Sequence, residues 1–221
     1  MKPVNSSEPV AGVILAGGLA RRMEGADKPL TCIAGIPMLA RAIERLRPQV
    51  DALVISANGD CSRFAEFGFP VVTDTVAGFA GPLAGILAGM RWAQANLPAA
   101  RFIVSVAADT PFFPANLVER FSECCGRDES TVSVAASPSG THPVFGLWPI
   151  ASADELEAFL RSGETSKVLA FVDRHLRLNV PFENLRLAKG EEVDPFFNVN
   201  TPTDAARAEE IAARVRAGTA S

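Results

Sequence analysis

Short apolar runs alternate with longer stretches of helical periodicity along the first half of the chain. Four runs are apolar almost to their last residue, as expected of strands covered on both faces: AGVILA (11–16), ALVISAN (52–58), PVVTD (70–74) and RFIVSVAAD (101–109). Each is followed by a segment with the spacing of a helix: PMLARAIERLRP (37–48), CSRFAEF (61–67), GPLAGILAGMRWAQANL (81–97) and PANLVERFSECC (114–125). Four β-α units in succession predict an α/β fold with a mostly parallel central sheet and helices on both faces.

The third helix contains Gly85 and Gly89. Glycines four residues apart lie on one face of a helix, and their missing side chains would let the helix backbone pack closely on the sheet.

The pattern becomes less regular after residue 130. TVSVAAS (131–137) and HPVFGLW (142–148) predict two strands joined by a turn, as a hairpin on the sheet edge, and two further helical stretches follow. FFNVN (196–200) predicts a last short strand. The final helix is predicted over 201–218, with Thr201 as N-cap, Pro202 at its first position and Asp204 three residues after the cap.

Neither an internal repeat nor a linker interrupts the chain, so we expect one domain over residues 10–221, preceded by a flexible polar tail of residues 1–9. Of the 221 residues, 48% are hydrophobic, which is enough for a packed core. The net charge of -4 argues against general nucleic-acid binding. No apolar run reaches the roughly 20 residues of a membrane span. Four cysteines without a CxxC pair favour a reduced, cytoplasmic protein over a disulfide scaffold or a zinc protein.

The predicted strands end in polar residues. Their ends read LAGG, SAN, TD and AAD, with NVN later in the chain. Because ligands bind beyond the carboxyl ends of the strands in an open parallel sheet, these residues predict the binding site.

The loop after the first strand has the composition of a polyphosphate site. Gly17 and Gly18 would let backbone N–H groups approach a phosphate, and Arg21, Arg22 and Lys28 add positive charge within eleven positions. The GxxxxGK[ST] of a P-loop and the GxGxxG of a dinucleotide fingerprint are both missing. A glycine pair alone would fit a plain connection equally well, and the added charge favours polyphosphate.

Asp109 ends the most apolar strand and is followed at once by Thr-Pro. We interpret it as a Mg²⁺ ligand, because magnesium takes one or two carboxylates and completes its shell with water and substrate phosphates. The alternative is a cap for the helix near Pro114.

Asp74 is a second candidate ligand, or a partner of a ribose hydroxyl, or a turn former. Asn58 could read a base edge or form a turn. His142 and His175 are interpreted as structural, since no Ser-His-Asp grouping or close pair of acids indicates hydrolytic catalysis.

The motif LAGGLARRMEGADKPL (15–30) resembles the signature of nucleotidyltransferases with an LAGG or LAAG loop, and most of all that of the molybdenum cofactor guanylyltransferases. The similarity continues in family order through GPLAGILAG (81–89), AADTPFFP (107–114), HPVFGLW (142–148) and FFNVNTPTD (196–204). One departure is Glu24-Gly25 after Met23, where the family often has two glycines.

The resemblance implies a Rossmann-like (GT-A-like) nucleotidyltransferase fold, with a nucleotide-binding half at about 10–125 and an acceptor-binding half at about 126–221. It implies that the phosphate of molybdopterin attacks the α-phosphorus of GTP with Mg²⁺ as cofactor, releasing pyrophosphate. The residues it assigns are Leu15, Ala16 and Gly17, with Gly18 beside them, as backbone contacts to GTP; Lys28 on the phosphates; Asn58 and Asp74 on the nucleotide; Asp109 on GTP and Mg²⁺; Arg22 near the transferred phosphoryl group; and Asn198 and Asn200 on the pterin side.

Three alternatives share these features. Two use the same fold on another substrate: a molybdopterin cytidylyltransferase and a sugar-1-phosphate nucleotidyltransferase. The third is a nucleotide-binding or cofactor-carrying module without turnover. The second glycine of LAGG and the GPLAGI stretch resemble the guanine-using branch. We therefore expect GTP and molybdopterin as the substrates. We also expect a monomer, in transient contact with cofactor-biosynthesis or acceptor molybdoenzymes.

Overall fold

The structure is a computed structural model that describes residues 8–17, 27–76, 81–125, 128–187 and 190–218. In chain order its strands are β1 (Val10–Leu15), β2 (Cys32–Ile33), β3 (Ile36–Pro37), β4 (Ala52–Ser56), β5 (Val71–Val72), β6 (Phe102–Ala107), β7 (Thr131–Ser137), β8 (Gly140–Pro149), β9 (Leu176–Pro181), β10 (Leu185–Arg186) and β11 (Glu192–Val193). Within the described residues, seven strands form the main sheet in the order β5-β4-β1-β6-β8-β7-β9. β2 pairs with β3, and β10 with β11, in two small antiparallel sheets.

One half of the main sheet is parallel, with β1 between β4 and β6. Ile14 of β1 is level with Ile55 of β4 on one side and with Val106 of β6 on the other, and all three side chains are fully buried. β5 extends this half beyond β4. The continuous apolar runs correctly predicted this arrangement, because strands covered on both faces need apolar residues at every position.

The predicted hairpin of β7 and β8 is confirmed, but its predicted position at the sheet edge is wrong. β8 pairs antiparallel with β6 and therefore lies inside the sheet. The edge is β9, which adds parallel to β7. In β9 only Val180 is fully buried, so its sequence carries little of the alternation that indicates a strand.

The helices cover both faces of the sheet, as predicted. They are α1 (Met38–Leu46), α2 (Pro82–Asn96), α3 (Leu117–Cys125), α4 (Ala153–Ser162), α5 (Val168–Val172) and α6 (Pro202–Gly218). Ile14 of β1 belongs to a buried cluster with Leu39 of α1 and Phe121 of α3. Its neighbour Val13 belongs to a second cluster, on the other face, with Leu156 of α4 and residues of α2. Successive side chains of a strand point to opposite faces, so one apolar strand supplies both cores.

Gly85 and Gly89 bring α2 close to the sheet, as predicted. A Cβ atom at Gly89 would lie 2.8 Å from the Cβ of Val13, and one at Gly85 would lie 2.7 Å from Ser56 Oγ. Neither position accepts a side chain unless its neighbours move.

The segment before the last helix is not the strand that FFNVN predicted. Residues 196–200 are irregular, and the N–H of Val199 donates to the carbonyl oxygen of Asp109 at 2.9 Å. The start of α6 is confirmed. The N–H of Asp204 donates to Thr201 Oγ1 at 3.1 Å, and the N–H of Thr201 donates to Asp204 Oδ2 at 2.9 Å, which is a reciprocal capping box.

The predicted flexible tail falls, up to residue 7, outside the described residues. Glu8 Oε1 lies 3.2 Å from Arg101 Nη1. In the described ranges, no helix combines the length and the apolar composition needed to cross a bilayer.

Candidate active site

A cavity of about 940 Å³ opens at the carboxyl ends of the parallel strands. This volume lies within the range of roughly 300–1,000 Å³ typical of small-molecule sites. Its wall is formed by the strand ends, the N-terminus of α2, one end of β8, and the segment before α6: Leu15, Gly17, Ser56, Asn58, Gly59, Arg63, Asp74, Gly81, Pro82, Gly85, Ala107, Asp109, Thr141, His142, Pro143, Val144, Phe145 and Asn198. The ends of the parallel strands therefore line one cavity, and its use as the binding site stays a prediction.

The glycine loop after β1 enters this cavity. Gly17 is exposed, and a Cβ atom there would have no neighbour within 4 Å among the described residues, which leaves its backbone accessible from the cavity. Ala16 is buried, and its N–H donates to the carbonyl oxygen of Ser56 at 2.8 Å. A hydrogen bond from the Ala16 backbone to a ligand would therefore have to use its carbonyl oxygen. Gly18 and Arg22 lie outside the described residues.

Lys28 joins two predicted site residues that are far apart in the sequence. Its Nζ donates to the carboxylate of Asp109 and, at 2.6 Å, to Oδ1 of Asn200. The side chains of Lys28 and Asp109 are only 18% and 24% exposed, so this ion pair is less screened by water than a surface pair. Asp204 is placed beside it by the N–H of Asn200, which donates to Asp204 Oδ2 at 2.9 Å. Burial acts to raise the pKa of Asp204, but hydrogen bonds and the Lys28 charge hold that pKa below its ordinary value.

Asn198 is fixed through Thr110, the residue after Asp109. The buried Thr110 hydroxyl contacts Asn198 Oδ1 and lies 3.3 Å from Asp109 Oδ1. Together with the bond from Val199 N–H, this ties the irregular segment to the end of β6. The carboxylate of Asp109 is therefore held by Lys28, and no bond from it to the helix near Pro114 occurs among the described residues.

Asn58 and Asp74 bind each other. Asn58 Nδ2 donates to Asp74 Oδ2 at 2.6 Å, and the N–H of Asp74 donates to Asn58 Oδ1 at 3.1 Å. Burial raises the pKa of Asp74, and the bond from Asn58 only partly offsets this. The pair presents one carboxylate and one amide to the cavity as a unit.

A divalent ion would find a hard-oxygen environment at Asp109. The donors nearby are the carboxylate of Asp109 and the amide oxygens of Asn198 and Asn200. Among the described residues, no three His, Cys, Asp or Glu side chains converge to hold a metal by themselves. This donor set suits Mg²⁺, which keeps water and substrate phosphates in its shell, better than a metal that needs an all-protein cage.

Two ionisable residues of the cavity wall, Arg63 and His142, were not predicted as site residues from the sequence. Arg63, on the 3-10 helix after β4, donates from Nη2 to the carbonyl oxygen of Asn58 at 3.2 Å, and its Nε lies 3.2 Å from Asp27 Oδ2. His142, interpreted as structural, lines the cavity at the start of the apolar stretch of β8. The only signal available was a charged or polar residue near a strand end, and that signal is common.

Comparison with known proteins identifies the family. Residues 12–178 match the MobA-like NTP transferase domain. A molybdenum cofactor guanylyltransferase from Bradyrhizobium sp. (strain ORS 278) is 48% identical over 92% of this chain and 93% of its own length. A protein of the same name from Rhodopseudomonas palustris (strain BisB5) is 46% identical over 96% and 98%.

The fold is also found in a solved structure. The molybdopterin-guanine dinucleotide biosynthesis protein A from Archaeoglobus fulgidus superposes with a TM-score of 0.70 at 24% identity, covering 92% of this chain and 98% of its own. This confirms the nucleotidyltransferase fold predicted from the sequence. With a family match over most of its length and relatives above 45% identity, the chain belongs to the MobA-like NTP transferase family of nucleotidyltransferases, alongside the proteins named molybdenum cofactor guanylyltransferase.

Proposed function

We propose that the protein transfers GMP from GTP to the phosphate of molybdopterin, releasing pyrophosphate and forming the guanine dinucleotide form of the molybdenum cofactor. The observation that carries this proposal is the junction of Lys28, Asp109 and Asn200. There a cation that follows the glycine loop meets a carboxylate at a strand end and an amide from the far end of the chain. In a reaction between two phosphorylated substrates, the part of the site that binds the nucleotide and the part that binds the acceptor must meet at such a point.

The nucleotide side of the cavity is formed by the ends of β1, β4 and β5 and by the start of α2. Gly17 offers open backbone, and the Asn58–Asp74 pair offers an amide and a carboxylate to the base or the ribose. Gly81 and Pro82 place the N-terminus of a 15-residue helix in the wall, where its dipole favours an anionic ligand.

The phosphates would lie against Lys28, and Mg²⁺ would be held by Asp109 together with phosphate oxygens. Bound there, the ion supplies neutralisation of the charge that builds up on the transferred phosphoryl group and on the leaving pyrophosphate. Arg22, as the resemblance implies, would add a guanidinium on the same side. Because a phosphate nucleophile is already ionised at neutral pH, the chain has to orient it and needs no general base.

The acceptor side of the cavity is formed by one end of β8 and by the segment 194–200. We assign molybdopterin to this side, in contact with Asn198 and Asn200, which are held in place by Thr110 and Lys28. Residues 10–125 would thus form the nucleotide half of one domain, and residues 126–221 the acceptor half.

The expected setting is the cytoplasm, as a monomer that meets other cofactor-biosynthesis enzymes or acceptor molybdoenzymes transiently. The four cysteines are all free thiols, which suits a reducing compartment.

The test is turnover with a panel of nucleotides. Purified protein, Mg²⁺ and molybdopterin are incubated without oxygen with GTP, CTP, UTP or ATP, and pyrophosphate and the dinucleotide are measured. We expect both products with GTP. Faster turnover with CTP would replace guanylyl by cytidylyl transfer, and GTP binding without pyrophosphate release would favour a carrier.

A further inference from the structure

A hydrogen-bonded chain of side chains lies behind His142, on the acceptor side of the cavity. His142 Nε2 is 2.7 Å from Ser137 Oγ, and Ser137 Oγ is 3.1 Å from Asp194 Oδ2. Ser139 Oγ bonds to the same carboxylate oxygen, while the other oxygen accepts from the N–H of Phe196 at 2.8 Å. Asp194 is therefore an acceptor for three donors.

These contacts favour one tautomer of the imidazole. A carboxylate only accepts, and two oxygen atoms 3.1 Å apart repel unless a proton lies between them, so we direct the single O–H of Ser137 to Asp194. In this arrangement Ser137 Oγ accepts from His142, which assigns the ring proton to Nε2. This is not a hydrolase triad, in which the serine and the acid bind opposite ring nitrogens; here both lie on the side of Nε2.

The other ring nitrogen, Nδ1, is consequently a hydrogen-bond acceptor. Burial lowers the pKa of His142 more than the nearby charge of Asp194 raises it, so the ring is neutral at neutral pH. Within the part of the chain that the structure describes, Nδ1 has no hydrogen-bond partner, and His142 lines the cavity.

The ring itself is held rigidly. It stacks on Phe196 with the ring centres 4.4 Å apart and an interplanar angle of 26°, and Phe196 in turn packs on Phe145 at 4.9 Å. The imidazole therefore has a fixed orientation as well as a fixed tautomer, as a group that binds a ligand selectively needs.

His142 lines the same cavity as Asp109 and Asn198. Asn198 follows two residues after Phe196, the ring on which the His142 imidazole stacks. Its Oδ1 is used by Thr110, which leaves its Nδ2 as a donor.

We propose that His142 binds the acceptor substrate by accepting, through Nδ1, a hydrogen bond from an N–H of its heterocycle, and that Ser137 and Asp194 fix the tautomer that makes this possible. The inference rests on the proposed function for the identity of the acceptor. His142 supplies an acceptor nitrogen and Asn198 a donor amide to the same cavity, and these two groups match the N–H and C=O groups on the edge of a pterin ring.

The first test reads the tautomer directly. The chain has two histidines, so a long-range ¹H–¹⁵N spectrum of protein labelled at histidine contains two ring systems, and His175→Gln assigns them. We expect a proton on Nε2 and a bare Nδ1 in the free protein, and a shift of the Nδ1 signal when molybdopterin is added to saturation. A proton on Nδ1, or an Nδ1 signal unmoved by saturating molybdopterin, overturns the proposal.

The second test separates binding of the two substrates. His142→Phe keeps a ring to stack on Phe196 but removes both nitrogens, and we expect KM for molybdopterin to rise about tenfold, the equivalent of roughly 1.4 kcal/mol. KM for GTP should stay within about twofold, because one neutral hydrogen bond on the acceptor side is all that is lost. A wild-type KM for molybdopterin in this variant refutes the assignment.

Ser137 is a positioning residue in this scheme, and paired variants test it. Ser137→Ala should raise KM for molybdopterin several-fold with kcat less affected, and Ser137→Thr, which keeps the hydroxyl, should restore it. Equal KM values in the two variants contradict the role of the hydroxyl. If wild-type protein forms no guanine dinucleotide, the proposed function fails, whereas the Nδ1 shift still decides whether His142 binds a pterin.

Discussion

Replacing Gly89 by alanine tests how closely α2 packs on the sheet. The new Cβ would lie 2.8 Å from the Cβ of Val13 and 3.0 Å from Cδ1 of Ile103, whereas carbon atoms prefer separations of about 3.5–4.0 Å. The Cβ of Val13 is attached directly to the backbone of the central strand, so no rotamer change removes the overlap. The helix must move outward by roughly 0.7–1.2 Å, and its contacts across the buried cluster weaken.

The magnitude follows from two opposing effects. Overpacking costs about 1–3 kcal/mol, and the upper half of this range applies because backbone has to move. Alanine in place of glycine inside a helix stabilises the folded state by about 1 kcal/mol, because alanine has the higher helix propensity. We expect a net loss of about 1–2 kcal/mol in the free energy of unfolding. At about 2–4 °C per kcal/mol for a domain of this size, Tm should fall by roughly 2–8 °C.

Gly85→Ala in the same helix is the matched control. Its Cβ would meet Ser56 Oγ at 2.7 Å and Leu15 Cδ2 at 2.8 Å, which are ends of side chains that can rotate away. The helix-propensity gain is the same, so this variant should unfold within about 0.5 kcal/mol of wild type. Urea unfolding followed by the fluorescence of the two tryptophans, together with calorimetry, measures both variants. A Gly89→Ala protein as stable as Gly85→Ala or as wild type would refute the packing argument.

Three further predictions concern the site and its support. Asp109→Asn should lower Mg²⁺-dependent pyrophosphate release by at least about 100-fold, because a neutral amide cannot hold the ion against phosphates, while an unchanged Tm shows that the fold survives. Ser105→Ala should cost about 1–3 kcal/mol in urea unfolding, because the indole N–H of buried Trp148, which now donates to Ser105 Oγ at 2.8 Å, would lose its partner; a change under 0.5 kcal/mol would contradict this. For Asp74→Asn, the difference in Tm between the variant and wild type should shift in favour of the variant as pH rises from about 4 to 7. The reason is that a carboxyl group with a raised pKa stabilises the wild type at low pH, and this stabilisation is lost once the group ionises. A Tm difference that does not change with pH would show that burial of Asp74 has no such effect.

The parallel half of the fold could be read from the sequence because its strands are apolar at every position, and only a covered strand needs that. The FFNVN segment misled the prediction because its apolar residues are buried for another reason. Phe196 packs among aromatic rings, and the N–H of Val199 is bonded to the backbone just after β6, so both residues are buried without forming a strand. β9 was not placed in the sheet because it exposes most of its side chains.

The gathering of Asp109, Asn58 and Asp74 around one cavity could be predicted because the ends of parallel strands meet at one edge of a sheet. What could not be predicted were the long-range partners. Lys28 and Asn200 are 172 residues apart in the sequence. They meet because the segment before α6 is hydrogen-bonded to the backbone just after β6. The mutual bonding of Asn58 and Asp74 likewise depends on the spacing of two strand ends, which residue types alone do not show.

The most direct test of the account follows the phosphate itself. GTP labelled at the α-phosphate is incubated with the protein, Mg²⁺ and molybdopterin, and the label is traced by chromatography and mass spectrometry. We predict that the label appears in a molybdopterin guanine dinucleotide in step with unlabelled pyrophosphate, and that Asp109→Asn abolishes both. Label that stays in GTP, or that leaves as free GMP while molybdopterin is unchanged, would contradict the central claim that this cavity joins a nucleotide to a pterin phosphate.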